Sequence, residues 1–301
     1  MYDLIIVGAG PAGITASVYA ARKRMSFVII TRDVGGQTLL SADIENYTGY
    51  QFITGTELAM KFKQHFEQFK VELKEGESVA GLEKEGDIIK IRTEAGEEYA
   101  SKTAIISSGR IPRKLGAKGE AEFKNRGVTY CATCDGPLFS NMSVAVIGGG
   151  NSALDAALQL MKIASSVCII DSAPRLGADP VMVEKASGSD KVTVYTGATV
   201  REIYGDKFVE GIRFGTGGGE KDIPVRGVFI EIGSVPSSGF VKGVTKNESG
   251  EITVNCKCET NVRGIFAAGD VTDVTAKQII VACGEGAKAS IAAFEYLSKN
   301  K

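Results

Sequence analysis

No apolar run in this 301-residue chain approaches the roughly 20 residues of a membrane span. The longest, such as Leu4–Val7 and Ile279–Cys283, are the size of a strand or a helical turn. Neither sign of charge is in excess. With a formal net charge of -1 at pH 7, the composition gives no reason to expect nucleic acid or a membrane surface as a partner. Cysteine is too sparse, at six scattered residues, for the disulfide framework of a secreted domain, so a cytoplasmic location is expected. No leader is expected either, because Tyr2-Asp3 runs straight into a buried-type strand. Histidine occurs once, at His65, beside an apolar stripe (Leu58, Phe62, Phe66, Phe69) where a surface or boundary position is expected. No metal site is expected: Cys131 and Cys134 lack a second suitably spaced pair, and Cys256-Lys257-Cys258 has one residue between its thiols.

What the chain does have is length enough for two domains, the apolar and charged fractions of an ordinary globular protein, and two glycine-rich turns placed alike. Tyr2–Val7 reads as a parallel strand buried on both faces. It leads into Gly8-Ala9-Gly10-Pro11-Ala12-Gly13, a small-residue helix from Ile14 to about Arg24, and a strand at Phe27–Ile30. In such a βαβ unit Gly8 permits the turn, Gly10 lets backbone approach a pyrophosphate, and Gly13 lets helix and strand pack closely. Thr31 stands where many such units carry an acid. Gly35-Gly36-Gln37 suggests a second approach of backbone to ligand. The second unit starts at Ser143–Ile147, turns at Gly148-Gly149-Gly150-Asn151-Ser152-Ala153, and continues as a helix over Leu154–Ile163 and a strand at Val167–Ile170. Asp171, roughly twenty residues after its glycines, can accept hydrogen bonds from a ribose and would repel a 2′-phosphate. Only Arg175 is near, so NADH is favoured over NADPH.

Between and after these units, Glu77–Ile106 and Thr199–Ile232 read as short strands with glycine turns, at Gly81, Gly86 and Gly96 in the first. Gly217-Gly218-Gly219 reads as a mobile loop. Crossings between domains are expected near Arg110–Gly119 and Gly239–Gly250. Val262–Ala268 reads as a strand ending at Gly269-Asp270, and a last helix as Gly284–Ser298. The fold class is therefore α/β, with two Rossmann-like dinucleotide-binding domains, the second inserted in the first. The bounds expected are 1–113 with 246–301, and 114–245.

Cys131-Ala132-Thr133-Cys134-Asp135-Gly136 lies between the two fingerprints. Inert core cysteines would sit in apolar strands, as Cys168 and Cys283 are expected to, and Cys256 and Cys258 as strand cysteines without function. Cys131 and Cys134 sit instead in loop-type sequence just before Pro137, which favours redox exchange. That chemistry needs one thiolate exposed to attack and one resolving thiol. Asp135 is a candidate acid–base partner if partial burial raises its pKa.

These motifs together, in this order and spacing, resemble the low-molecular-weight thioredoxin reductases over essentially the whole chain. Thr129–Phe139, Cys258–Asp270 and Lys277–Ser290 look most like the reductase portion of the alkyl hydroperoxide reductase flavoproteins. Those carry an additional N-terminal thioredoxin-like region, whereas this sequence begins at the first fingerprint. The resemblance implies a homodimeric enzyme with FAD held by Gly8, Gly10, Pro11, Ala12, Gly13, Gly36, Gln37, Asn46, Gly109, Gly269, Asp270, Lys277, Gln278 and Ile279. NADH would be held by Gly148, Gly150, Asn151, Ser152, Ala153 and Asp171. Cys134 would face the flavin, Cys131 would attack the partner, and Asp135 would serve as acid–base group. Thr31 is then no anomaly, since the family lacks an acid there. Its NADPH-dependent members have His-Arg-Arg where this chain has Asp171-Ser172-Ala173. Electrons would pass from NADH through FAD and the dithiol to a separate thioredoxin- or glutaredoxin-like protein, with the two crossings as hinges. Two rival readings are the same reductase with ferredoxin or a reduced deazaflavin as donor, and a flavin redox sensor without turnover.

Overall fold

The N-terminal apolar run becomes β1 (Tyr2–Ala9), and its side chains alternate between two cores: Leu4 and Ile6 enter one, Ile5 and Val7 the other. This period-two division is why the sequence is continuously apolar there. The computed structural model describes residues 1–40 and 43–299, with the backbone alone at Leu40, Asp43 and Cys134. Following β1 come α1 (Pro11–Arg22), β2 (Phe27–Val34), the short β3 (Asp43–Ile44) and β4 (Ile53–Thr54), and α2 (Gly55–Glu67). Thr54 and Glu57 close a reciprocal capping box at the start of α2, each side chain taking the other's backbone N–H. Leu58 and Phe66 of the apolar stripe are buried, and His65 is exposed.

Next are β5 (Glu72–Glu75), β6 (Val79–Glu85), β7 (Ile88–Thr93) and β8 (Glu98–Ile106). Gly81 is not a turn but part of β6, at a register shift against β7. After β9 (Arg110–Pro112) the chain passes into β10 (Val128–Thr129), α3 (Ala132–Asp135), β11 (Ser143–Ile147), α4 (Asn151–Leu160), β12 (Ser166–Ile170), α5 (Pro180–Ser187) and β13 (Val192–Tyr195). The hairpin strands β14 (Thr199–Gly205), β15 (Val209–Thr216) and β16 (Gly219–Pro224) follow, then β17 (Gly227–Ile230), β18 (Ser234–Pro236), β19 (Ile265–Ala267) and α6 (Ile279–Lys299). Of the three glycines read as a loop, Gly217-Gly218 form the two-residue turn between β15 and β16, and Gly219 is the first residue of β16.

Two units emerge, Met1–Ile111 with Val235–Lys301, and Pro112–Ser234. The first holds a seven-stranded sheet in the order β5-β2-β1-β8-β7-β6, with β19 also on β8. β8 is parallel to β1 along one edge; along the other it pairs antiparallel with β7 and then, from Ala104, parallel with β19. The second unit holds a parallel sheet, β10-β17-β11-β12-β13, and the antiparallel sheet β14-β15-β16. Its strand order reverses between β11 and β17, the position where open α/β sheets bind ligands.

The second boundary, expected at 245/246, lies at 234/235. Glycines at 239, 243 and 250 gave this stretch the look of a linker, yet Val241 and Val244 are buried in the first unit's core. Phe240 and Lys242 bond through their backbones to Leu82 there. The first boundary, expected at 113, lies at 111/112. Among the described residues, no helix is long and apolar enough to cross a membrane.

Candidate active site

In the first unit the βαβ turn is as tight as the sequence demands. A Cβ on Gly13 would sit 1.8 Å from the Gly8 carbonyl oxygen, so only hydrogen fits. Gly10 is the N-cap of α1, with no side chain capping the helix. The space in front of it is open, since a Cβ there would meet nothing within 4 Å. Thr31, buried, accepts the Ala9 N–H at 3.1 Å, so it closes the turn from within.

Further candidate residues gather at the same end of the sheet. Gly36 and Gln37 begin a 3-10 turn (Gly36–Leu40), and a Cβ on Gly36 would lie 3.2 Å from the Gly10 Cα. Gln37 Nε2 donates to the Arg110 carbonyl at 2.8 Å, fixing the chain just after Gly109. Asn46 Nδ2 donates to Gln278 Oε1 at 3.1 Å. Gly269 and Asp270 follow β19, and a Cβ on Gly269 would press on Ala12 at 3.0 Å. Burial raises the Asp270 carboxyl above its ordinary pKa, an effect opposed by Lys277 and Arg110. Lys277 and Gln278 directly precede α6, and Ile279 is its first residue.

The second unit repeats the device. Gly150 is the uncapped N-cap of α4, again with open space in front. Asn151, Ser152 and Ala153 form the first turn, Ala153 fully buried. Asp171 follows β12, and its carboxylate lies directly against the glycine turn: a Cβ on Gly149 would be 2.1 Å from Asp171 Oδ2. The loop after Asp171 is clipped back on this turn. Gly177 N donates to the Gly149 carbonyl at 2.8 Å, and Asn151 exchanges bonds with Asp179, Asp179 N to Asn151 Oδ1 at 2.8 Å and Asn151 Nδ2 to Asp179 Oδ2 at 3.2 Å.

Cys131 is disulfide-bonded and buried, immediately before α3. The stretch expected as a loop is thus a short helical turn, with Asp135 N bonded to the Cys131 carbonyl at 3.1 Å. The side chain of Cys134 lies outside the described residues. The Thr129 hydroxyl donates to Asp135 Oδ2 and accepts the Cys131 N–H at 3.2 Å, joining carboxylate and thiol-bearing residue through one oxygen. Upstream, Tyr130 donates to buried Glu120 at 2.6 Å, and Glu120 also takes the N–H groups of Leu115 and Gly116. Downstream, Thr133 bonds Gln159 of α4 at 3.0 Å. A cavity of about 650 Å³ opens beside Asp135, walled by Leu138, Phe139, Met142 and Phe208, with Arg226 on its lining.

The remaining cysteines are free. Burial drives the Cys168 thiol to about 12 and the Cys258 thiol to about 11, and raises that of Cys283. Three of them are not where the sequence suggested, and one of these, Cys256, is exposed in a turn rather than set in a strand. Cys283 is in α6, and Cys258, at φ 62, ends a turn whose N–H bonds the Asn255 carbonyl. No group of three or more His, Cys, Asp or Glu among the described residues is placed to hold a metal.

The profile of the pyridine nucleotide-disulphide oxidoreductases matches residues 2–286. The chain belongs to that family. An alkyl hydroperoxide reductase protein of Escherichia coli is 40% identical over 307 residues, which is all of this chain and 59% of the relative. A protein named NADH dehydrogenase in Bacillus subtilis is 40% identical over 302 residues, 99% of this chain and 59% of the relative. The chain thus spans about three-fifths of the curated relatives that it matches. Among solved structures, the thioredoxin reductase of Lactococcus lactis superposes with a TM-score of 0.89 at 38% identity, covering 99% of this chain and 100% of the other.

For a pyridine nucleotide-disulphide oxidoreductase, FAD and a pyridine nucleotide are the implied cofactors, and the residues present fit both. Each unit offers an uncapped helix N-terminus behind an open glycine, which suits the close approach of a pyrophosphate to the backbone. Sequence reasoning did not find Thr129, Glu120, Glu231 or Glu251. Thr129 and Glu120 bond residues close in sequence but at spacings that mark no motif, whereas Glu251 meets Arg110 and Lys277 across the fold. Glu231, at the end of β17 beside the strand-order reversal, is driven to about 8 by burial and by Asp155.

Proposed function

We propose that this flavoprotein takes electrons from NADH and passes them to the disulfide of a separate thioredoxin- or glutaredoxin-like protein, acting as a cytoplasmic homodimer. The observation that carries this reading is the disulfide-bonded Cys131, set one hydrogen-bonded oxygen away from the Asp135 carboxylate, in the same unit as a complete dinucleotide cradle. In this reading Cys131 and Cys134, two residues apart in the sequence, form the redox pair.

FAD, held by Gly8, Gly10, Pro11, Ala12, Gly13, Gly36, Gln37, Asn46, Gly109, Gly269, Asp270, Lys277, Gln278 and Ile279, supplies a two-electron carrier between nicotinamide and dithiol. Gly148, Gly150, Asn151, Ser152 and Ala153 present the α4 N-terminus to the NADH pyrophosphate. Asp171, fixed against Gly149, accepts from the adenosine ribose hydroxyls and repels a 2′-phosphate. Once reduced, Cys131 attacks the partner's disulfide as a thiolate, and Cys134 resolves the mixed disulfide. Asp135 moves the proton between thiol and solvent while Thr129 holds its Oδ2. The apolar cavity beside Asp135 receives the partner's contact segment.

The test is steady-state reduction of a thioredoxin-like disulfide protein with NADH. Turnover that is lost in Cys131→Ser supports the reading. Turnover retained in Cys131→Ser overturns the dithiol mechanism, and none in the native protein leaves a sensor. Turnover with reduced ferredoxin or deazaflavin alone would replace the donor and keep the rest.

A further inference from the structure

One group of charges in the first unit joins Lys277, assigned above to the flavin, to two residues with no part in the function described so far, Arg110 and Glu251. Arg110 Nη1 and Lys277 Nζ lie 2.8 and 3.0 Å from the same oxygen, Oε1 of Glu251. All three side chains are largely withdrawn from water, at 18%, 27% and 15% exposure. The second oxygen of Glu251 takes the Asn247 amide at 2.8 Å, and its backbone N–H returns to Asn247 Oδ1 at 2.9 Å, so the carboxylate is held at both ends. Lys277 also donates to the Thr272 carbonyl. Two cations so near one another repel, and in a partly buried setting the repulsion is several-fold stronger than in water. The intervening carboxylate is what keeps them together.

One cation is itself assigned to the flavin, and both adjoin residues that are. Arg110 follows Gly109, and its carbonyl is fixed by Gln37; Lys277 precedes Gln278, which is fixed by Asn46. Asp270 feels both cations. Resting on the reading that this unit holds FAD, we infer that Glu251 is a positioning residue that clamps Arg110 and Lys277 beside the flavin and thereby sets its reduction potential. The clamp carries two positive charges and one negative. A group that gains electrons is easier to reduce beside positive charge and harder beside negative charge. Removing the Glu251 charge and removing a cation should therefore move the potential in opposite directions, which loss of structure would not do.

The experiment is the midpoint potential of the purified, flavin-loaded protein, equilibrated anaerobically with a reference dye, for the native chain, Glu251→Gln, Glu251→Asp and Lys277→Gln. Expected are a rise in Glu251→Gln, a fall in Lys277→Gln, and a value near native in Glu251→Asp. Unchanged potentials, or shifts of the same sign in Glu251→Gln and Lys277→Gln, overturn the inference while leaving the FAD site standing. A native protein that takes up no flavin overturns the reading beneath it.

Discussion

The most informative single substitution is Gly149→Ala. The residue is not at positive φ, so alanine is allowed by its backbone. The obstacle is Asp171: the new methyl would stand 2.1 Å from Oδ2, 2.7 Å from Cγ and 3.0 Å from Leu176 Cδ2. Ordinary contact begins near 3.4 Å, so the carboxylate must retreat by more than an ångström, enough to break a hydrogen bond to a ribose hydroxyl. A bond to a charged acceptor contributes about 1.5–3 kcal/mol, which is roughly ten- to a hundredfold in affinity. NADPH gains nothing from Asp171 and loses little. The ratio of kcat/KM for NADH over NADPH should therefore fall by one to two orders of magnitude, read in steady state with a disulfide protein as acceptor. Gly150→Ala is the contrast. Its methyl meets nothing within 4 Å in the protein itself but enters the space in front of the α4 N-terminus. It should raise KM for both nucleotides together and leave the ratio alone. An unchanged ratio in Gly149→Ala would refute the role given to Asp171.

Three further outcomes follow from the same geometry. Thr129→Val removes the hydrogen bond on Asp135 and should slow reduction of the protein disulfide about tenfold, with Thr129→Ser restoring it and flavin reduction by NADH unaffected. Glu231, raised to about 8 in the fold from an ordinary carboxyl value of 4.5, binds its proton more tightly folded than unfolded. Its contribution to stability is therefore complete below about pH 4.5 and is lost as pH rises through 8, on the order of a few kcal/mol at most; chemical denaturation from pH 5 to 9 should show this fall, and Glu231→Gln should flatten it. Thr54→Ala opens the capping box of α2 and should lower stability by about 1 kcal/mol, seen as a lower thermal midpoint.

How much of this was legible beforehand depended on whether the determinant is local. The turns at Gly8–Gly13 and Gly148–Ala153, and the acid at Asp171, were found because strand, glycine and helix follow one another in a fixed grammar. Where the grammar is silent, the reading failed in physical ways. Four helical residues at Ala132–Asp135 are too few to show a period. Ile279–Cys283, a short apolar run, is compatible with strand or helix, and became the first turns of α6. The stretch around Phe240–Val244 has the glycines of a linker, but its apolar residues pack on Leu82 and the neighbouring core, a long-range contact that composition does not carry. Val262–Ala268 shortened to Ile265–Ala267 because only those residues pair with β8. Glu251 was invisible for the same reason, since Arg110 and Lys277 are brought to it by topology.

The central claim is that electrons from NADH reach the Cys131 dithiol by way of the flavin. Anaerobic titration of the flavin-loaded protein with NADH, followed by thiol alkylation and peptide mass analysis, tests it most directly. The account predicts bleaching of the flavin band and two new alkylated thiols, at Cys131 and Cys134, that are unlabelled before NADH is added. Bleaching that leaves both cysteines unlabelled, or no bleaching by NADH at all, would contradict it.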